Sequence, residues 1–225
     1  MTLPVVETET RAQPTHSIIW LHGLGADGND FAPIVPELVD PQWPAIRFVF
    51  PHAPVRPVTI NNNMPMRAWY DIMGFGLEDQ QDADGIRESI AQVQALIARE
   101  VERGVPESRI VLAGFSQGGA IALAAGLCHA TPLAGIVALS TYVPIRDVVT
   151  AERSASNQNI AIFWGHGTAD PIVQLARGTA SRDLLQTLGY TVDWHTYPMA
   201  HQVCAQEIAD LRTWLGQRFA ASANG

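Results

Sequence analysis

Arg109-Ile-Val-Leu-Ala-Gly-Phe-Ser-Gln-Gly-Gly-Ala-Ile-Ala-Leu123 decides the fold. It reads as a short buried strand (Ile110 to Ala113), a tight turn, and an apolar helix. The turn, Gly114-Phe115-Ser116-Gln117-Gly118, has the form G-x-S-x-G. Such a turn strains the backbone at the serine, and glycine at its flanks relieves the crowding. It lifts Ser116 Oγ clear of the sheet, at a helix N-terminus whose free N–H groups favour developing negative charge. The spacing therefore marks Ser116 as a candidate nucleophile. The alternative is a glycine-rich strand-to-helix turn with a spectator serine.

Outward from this point, apolar strand patterns alternate with helical ones. Strands are expected at Ser17 to Leu21, Ile46 to Phe50, Gly135 to Leu139, Ile160 to Trp164 and Tyr190 to Tyr197. Helices are expected from about Asn29 or Asp30 to Leu38, from Ala83 to Arg103, from the elbow to about Ala130, from Pro171 to Leu188, and from Gln202 to Phe219. Ile86, Ile90, Val93, Ile97 and Val101 give the second of these the clearest amphipathic stripe. Pro51 to Leu77 reads as a long irregular passage, and such passages inside a domain are usually functional. The alternation implies one α/β domain over 1–225 with a mostly parallel sheet and helices on both faces. Segments 1–16 and 220–225 are expected to be peripheral, as frayed ends or an edge extension.

Composition narrows the chemistry. The 225 residues carry a net charge of −8, which argues against a nucleic-acid partner bound through a basic face. There is no lysine, which removes Schiff-base chemistry, a Walker lysine and a Ser-Lys dyad. Cys128 and Cys204 fit reduced, buried thiols better than a disulfide framework. Ile110 to Ile145 is uncharged but interrupted by polar residues and Pro132, so no stable membrane insertion is expected. With no signal-peptide pattern at the N-terminus, the expected location is cytoplasmic. Neither H-E-x-x-H nor C-x-x-C occurs, and no metal or cofactor is expected.

A serine nucleophile needs a base, and the base needs an orienting acid. Where the serine sits on a strand-to-helix elbow, the chain order is Ser, acid, His. Of the histidines after Ser116, His129 closes the elbow helix and His195 lies within a strand. His201 stands in a loop beyond the last strand, where sheets of this type gather their chemistry. Among the intervening acids, Asp170 directly follows a buried strand in Gly165-His-Gly-Thr-Ala-Asp-Pro171. Its competing role is a helix N-cap, which would claim the same carboxylate oxygens.

Gly23-Leu24-Gly25-Ala26-Asp27-Gly28 matches G-x-G-x-x-G after the first strand, so a dinucleotide-binding oxidoreductase has to be weighed. The second strand, however, ends in Pro51-His52 with no ribose-binding acid, and Asp27 would repel a pyrophosphate. The loop reads better as the second oxyanion donor, the amide of Leu24 joining that of Gln117. Trp69, Met73, Phe75 and Leu77 are the candidate lining of an acyl groove, since methionine and other apolar side chains suit an adaptable pocket.

These motifs resemble the phospholipase/carboxylesterase family of α/β-hydrolases, which includes acyl-protein thioesterases. The likeness runs from Trp20-Leu-His-Gly-Leu-Gly25 through Pro57-Val-Thr-Ile-Asn61, Arg67-Ala-Trp-Tyr-Asp-Ile72 and the elbow to Leu139-Ser-Thr-Tyr142 and His166-Gly-Thr-Ala-Asp170. The resemblance implies Ser116, Asp170 and His201 as triad, Leu24 and Gln117 as oxyanion donors, and an α/β-hydrolase without a large cap domain. Ala200 and Gln202 depart from the Gly and Ser that commonly flank the family's catalytic histidine.

The expected activity is a serine carboxylesterase acting on short- to medium-chain acyl esters through an acyl-enzyme. An acyl-protein thioesterase or lysophospholipase on the same site is the alternative, and a catalytically silent binding module a further one. The expected partner is a small-molecule acyl ester or thioester. Oligomeric state stays open, a homodimer included.

Overall fold

The backbone of the chain alternates strands and helices around one twisted sheet. The computed structural model describes residues 3–74 and 81–222, with side chains to 220. Seven strands form the sheet in the order β1-β3-β2-β6-β7-β8-β9. They are β1 (Val5–Glu9), β2 (His16–Leu21), β3 (Ile46–Pro51), β6 (Ile110–Phe115), β7 (Gly135–Leu139), β8 (Ile162–Gly167) and β9 (Val192–Tyr197). β1 runs antiparallel to β3 at the edge, and the other pairings are parallel. Part of the 1–16 segment is thus an ordered edge strand.

The central strands are buried on both faces, as parallel strands require. Alternation assigns the faces: Ile18 and Trp20 enter one core, Ile19 and Leu21 the other. The first core is completed by α1 (Val35–Leu38) and α6 (Ala205–Ser222), which contributes Ile208, Leu211, Trp214, Leu215 and Phe219. The second contains residues of α2 (Ala83–Glu102), α3 (Gln117–Cys128), α4 (Arg146–Glu152) and α5 (Leu175–Thr187). α3 is buried from Gln117 to Leu127, and its small residues let it lie close to the sheet. A Cβ on Gly126 would meet Ile136 Cδ1 at 2.6 Å.

Several expectations need correction. The helix expected up to Leu38 shrinks to a 3-10 turn (Ala32–Ile34) followed by α1, because Pro33 and Pro36 each remove a backbone donor. Pro51 to Leu77 is not irregular throughout. It holds an antiparallel ribbon of β4 (Val55–Val58) and β5 (Met64–Arg67), in which Pro57 faces Pro65. Proline is tolerated in such a two-stranded edge ribbon. α5 starts at Leu175 rather than Pro171, and α6 at Ala205 rather than Gln202, running on to Ser222. Both cysteines are free thiols, but half-buried rather than buried. Among the described residues no helix is long and apolar enough to cross a membrane.

Candidate active site

Three neighbouring strands end at one rim of the sheet. Phe115 pairs with Leu139, and Leu139 with Gly165, so β6, β7 and β8 deliver their following loops side by side. Ser116 comes directly after β6, with φ 55° and ψ −121°, and caps α3. A non-glycine residue in this region costs about 1–3 kcal/mol and persists only where its surroundings impose it. Here they do. The Ser116 N–H donates to Leu139 O at 2.9 Å, and the Ser116 carbonyl accepts from Thr141 Oγ1 at 2.6 Å. The turn also presses its helix against β2. A Cβ on Gly118 would lie 2.4 Å from Leu21 O and 2.5 Å from His22 O, which is why the position is glycine.

His201 stands in the loop between β9 and α6, its Nε2 2.8 Å from Ser116 Oγ and its Nδ1 2.7 Å from Asp170 Oδ2. Asp170 is almost fully buried, and Phe115 packs against the imidazole at 4.7 Å between ring centroids. The competition for the Asp170 oxygens resolves by division. Oδ2 faces His201, while Oδ1 accepts from the amides of Ile172 and Val173, each at 2.9 Å. Asp170 therefore anchors a turn rather than capping α5, whose N-cap is Gln174.

A second histidine holds that turn from below. His166 is fully buried, and its Nε2 lies 2.8 Å from Val173 O. A carbonyl can only accept, so Nε2 carries the hydrogen; Nδ1 is left bare, without a partner among the described residues. Burial pushes the His166 pKa down, in keeping with a neutral ring.

The first glycine loop is pinned in the same manner. His22 donates through Nδ1 to Gly23 O at 2.7 Å and accepts the Ala53 N–H at Nε2, 3.0 Å away. Burial lowers its pKa, so it too is neutral. Ala26 N–H closes the loop onto Gly23 O at 3.3 Å, and Gly25 N–H bonds Arg67 O at 2.8 Å. Neither the Leu24 nor the Gln117 amide meets an acceptor among the described residues. The Gln117 side chain is held at both ends, accepting from Trp69 N at 2.8 Å and donating to Tyr70 O at 2.7 Å.

A cavity of about 290 Å³ opens beside Ser116 and His201, walled by Leu24, Ala26, Ile72, Tyr142, Ile172 and Val173. The expected lining differs. Trp69 is fully buried beneath the glycine loop, its Nε1–H donating to His22 O at 2.9 Å. Met73 is 44% exposed and does not wall the cavity. Phe75 and Leu77 lie outside the described residues. Ile172 and Val173, two and three places after Asp170, were findable as an apolar pair in the acid's own loop. Tyr142 and Ile72 carried no such signal. Among the described residues no group of three or more His, Cys, Asp or Glu is arranged to hold a metal ion.

Comparison with known proteins bears on this geometry. The model of the Phospholipase/Carboxylesterase family matches residues 2–218. The chain is 40% identical over 217 residues to acyl-protein thioesterase 1 of Yarrowia lipolytica, covering 94% of this chain and 96% of that protein. Among solved structures, Arabidopsis thaliana SOBER1 superposes with a TM-score of 0.86 at 30% identity, over 90% of this chain and 98% of that one. Zea mays acyl-protein thioesterase 2 does so with a TM-score of 0.82 at 27% identity, over 95% and 99%. The chain thus belongs to the phospholipase/carboxylesterase family of α/β-hydrolases, as a serine hydrolase acting on esters.

Proposed function

We propose that this protein hydrolyses short- to medium-chain acyl esters and thioesters by two-step acyl transfer, with Ser116 as nucleophile, His201 as base and Asp170 as orienting acid. The observation that carries the reading is the unbroken contact chain from Asp170 Oδ2 through the imidazole to Ser116 Oγ, at 2.7 and 2.8 Å. His201 takes the serine proton as Oγ attacks the acyl carbonyl. Asp170 fixes the Nδ1–H tautomer and supports the imidazolium that forms. The amides of Leu24 and Gln117 receive the oxyanion, each donor contributing about 3 kcal/mol in the transition state. His201 then protonates the departing alcohol or thiol and activates the water that releases the acyl group.

The acyl chain lies in the cavity walled by Ile72, Tyr142, Ile172 and Val173. At about 290 Å³ it offers room for roughly ten groups of water size, which supports short to medium chains. The relatives named acyl-protein thioesterase, at 40% identity, favour S-acylated polypeptides as a second substrate class on the same site.

A panel of aryl esters and thioesters of graded acyl length, run on the wild type and on Ser116→Ala, tests the reading. Turnover falling beyond medium chains, and lost in the variant, is expected. Activity persisting in Ser116→Ala would remove the nucleophile, and a flat response to acyl length would remove the cavity assignment.

A further inference from the structure

A second depression, of about 440 Å³, meets the acyl cavity at the catalytic imidazole. The two share only Asp30, Phe115 and His201. The acyl cavity holds Ser116 with Leu24 and Gln117, the residues proposed to cradle the carbonyl. The second depression has none of these. It is a groove between the segment 30–37 and the start of α6, with apolar walls from Phe31, Ile34, Val203 and Ile208. The reaction's stereochemistry separates the two. The bond to the leaving atom breaks as His201 protonates that atom, so the leaving group has to lie on the imidazole's side, away from the acyl chain.

Charge then says what kind of leaving group fits. Asp30 stands where the cavities join, and Glu37 lines the groove alone. No arginine lines it, and no ion pair among the described residues involves either acid. Burial and the neighbouring Asp27 both raise the Asp30 pKa, so its charge is uncompensated where it stands. The N-terminus of α6 also borders the groove and favours anions, but as about half a charge against two carboxylates. Asp30 lies at the junction with the acyl cavity and Glu37 in the groove alone, so the two carboxylates are set apart along it. One small ammonium group cannot serve both, whereas an extended chain with two basic side chains can.

We infer that this groove is the leaving-group subsite and that it takes the cysteine-bearing segment of a cationic peptide, rejecting an anionic one. The inference rests on the acyl-transfer reading above. Its test uses three S-octanoyl-cysteine peptides of equal length, flanked by Lys, Ala or Glu, with hydrolysis followed at low and high salt. The Lys peptide is expected to exceed the Glu peptide about tenfold in kcat/KM at low salt, equivalent to ~1.4 kcal/mol. The Ala peptide falls between, and the ratio shrinks as salt rises. In the Asp30→Asn/Glu37→Gln double variant the Lys-to-Glu ratio, measured within that variant, falls to about two. Equal kcat/KM for the three peptides in the wild type, or a ratio that survives the double substitution, overturns the subsite. Failure of the wild type to hydrolyse any of the three, or a neutral aryl ester, instead overturns the acyl-transfer reading beneath it.

Discussion

Replacing His166 by leucine tests how Asp170, the proposed orienting acid, is held. The substitution deletes the Nε2–H bond to Val173 O at 2.8 Å and leaves that carbonyl unpaired in the interior. Such a loss costs about 1–3 kcal/mol. It falls on the turn whose Ile172 and Val173 amides, each at 2.9 Å, fix Asp170 Oδ1. A displacement of about 1 Å in a catalytic group costs on the order of a hundredfold in rate. The ceiling is about 10⁴-fold, the effect of turning the orienting aspartate of a serine protease into an amide. The expected result for His166→Leu is a 10- to 100-fold fall in kcat, with some rise in KM as well, since the loosened turn also carries the cavity walls Ile172 and Val173. His166→Gln restores an N–H at similar reach and should recover most of the rate. Steady-state kinetics on a short aryl ester, with thermal melts to show that both variants fold, reads this out. Wild-type kcat in folded His166→Leu, or equal losses in both variants, refutes the positioning argument.

Other sites give sharper stability outcomes. Gly118→Ala would drive a Cβ to 2.4 Å from Leu21 O; backbone on both sides must shift, and a loss of about 1–3 kcal/mol in chemical denaturation is expected. Glu100, 1% exposed, accepts from Ser17 Oγ, Arg47 and Arg103, so Glu100→Ala removes one of the two carboxylates on the buried Arg47, leaving Glu9 at 3.0 Å, and should cost about 1.5–3 kcal/mol by the same measurement. Glu207 is fully buried against Gly165, and burial pushes its pKa up to about 8, an effect the nearby Cys204 amide only partly offsets. The folded protein holds this proton more tightly than the unfolded chain. Its contribution is therefore complete below the ordinary carboxyl range, about 4.5, and is lost as pH rises toward 8. Glu207→Gln should flatten that decline in melting temperature between pH 5 and 8; an unchanged slope counts against a neutral buried acid.

What was legible in the sequence was local. The G-x-S-x-G turn and each buried strand or amphipathic helix leave a signal within a few residues, and Asp170 and His201 are picked out by the short stretches that place each just after a strand, in the order Ser, acid, His. The errors arose where a tertiary partner overrides local preference. Asp170 before Pro171 looks like a helix cap, yet His201 claims one carboxylate oxygen and the turn amides the other, so the helix waits until Leu175. Pro57 and Pro65 look like strand breakers until they face one another in a two-stranded ribbon. Trp69 belongs by composition to an apolar lining, but an indole N–H needs an acceptor, and the carbonyl of His22 draws it beneath the first glycine loop. Tyr142 reaches the cavity only because β7 lies between β6 and β8, a fact of topology rather than of spacing.

The central claim is a covalent acyl group on Ser116. Rapid-quench intact-mass spectrometry during turnover of a short-chain aryl ester, followed by peptide mapping, tests it most directly. The account predicts a transient mass gain equal to the acyl group, mapped to Ser116 and abolished in Ser116→Ala. Burst-phase release of the alcohol with the acyl group on another residue, or turnover with no acyl-enzyme when deacylation is made limiting, would contradict it.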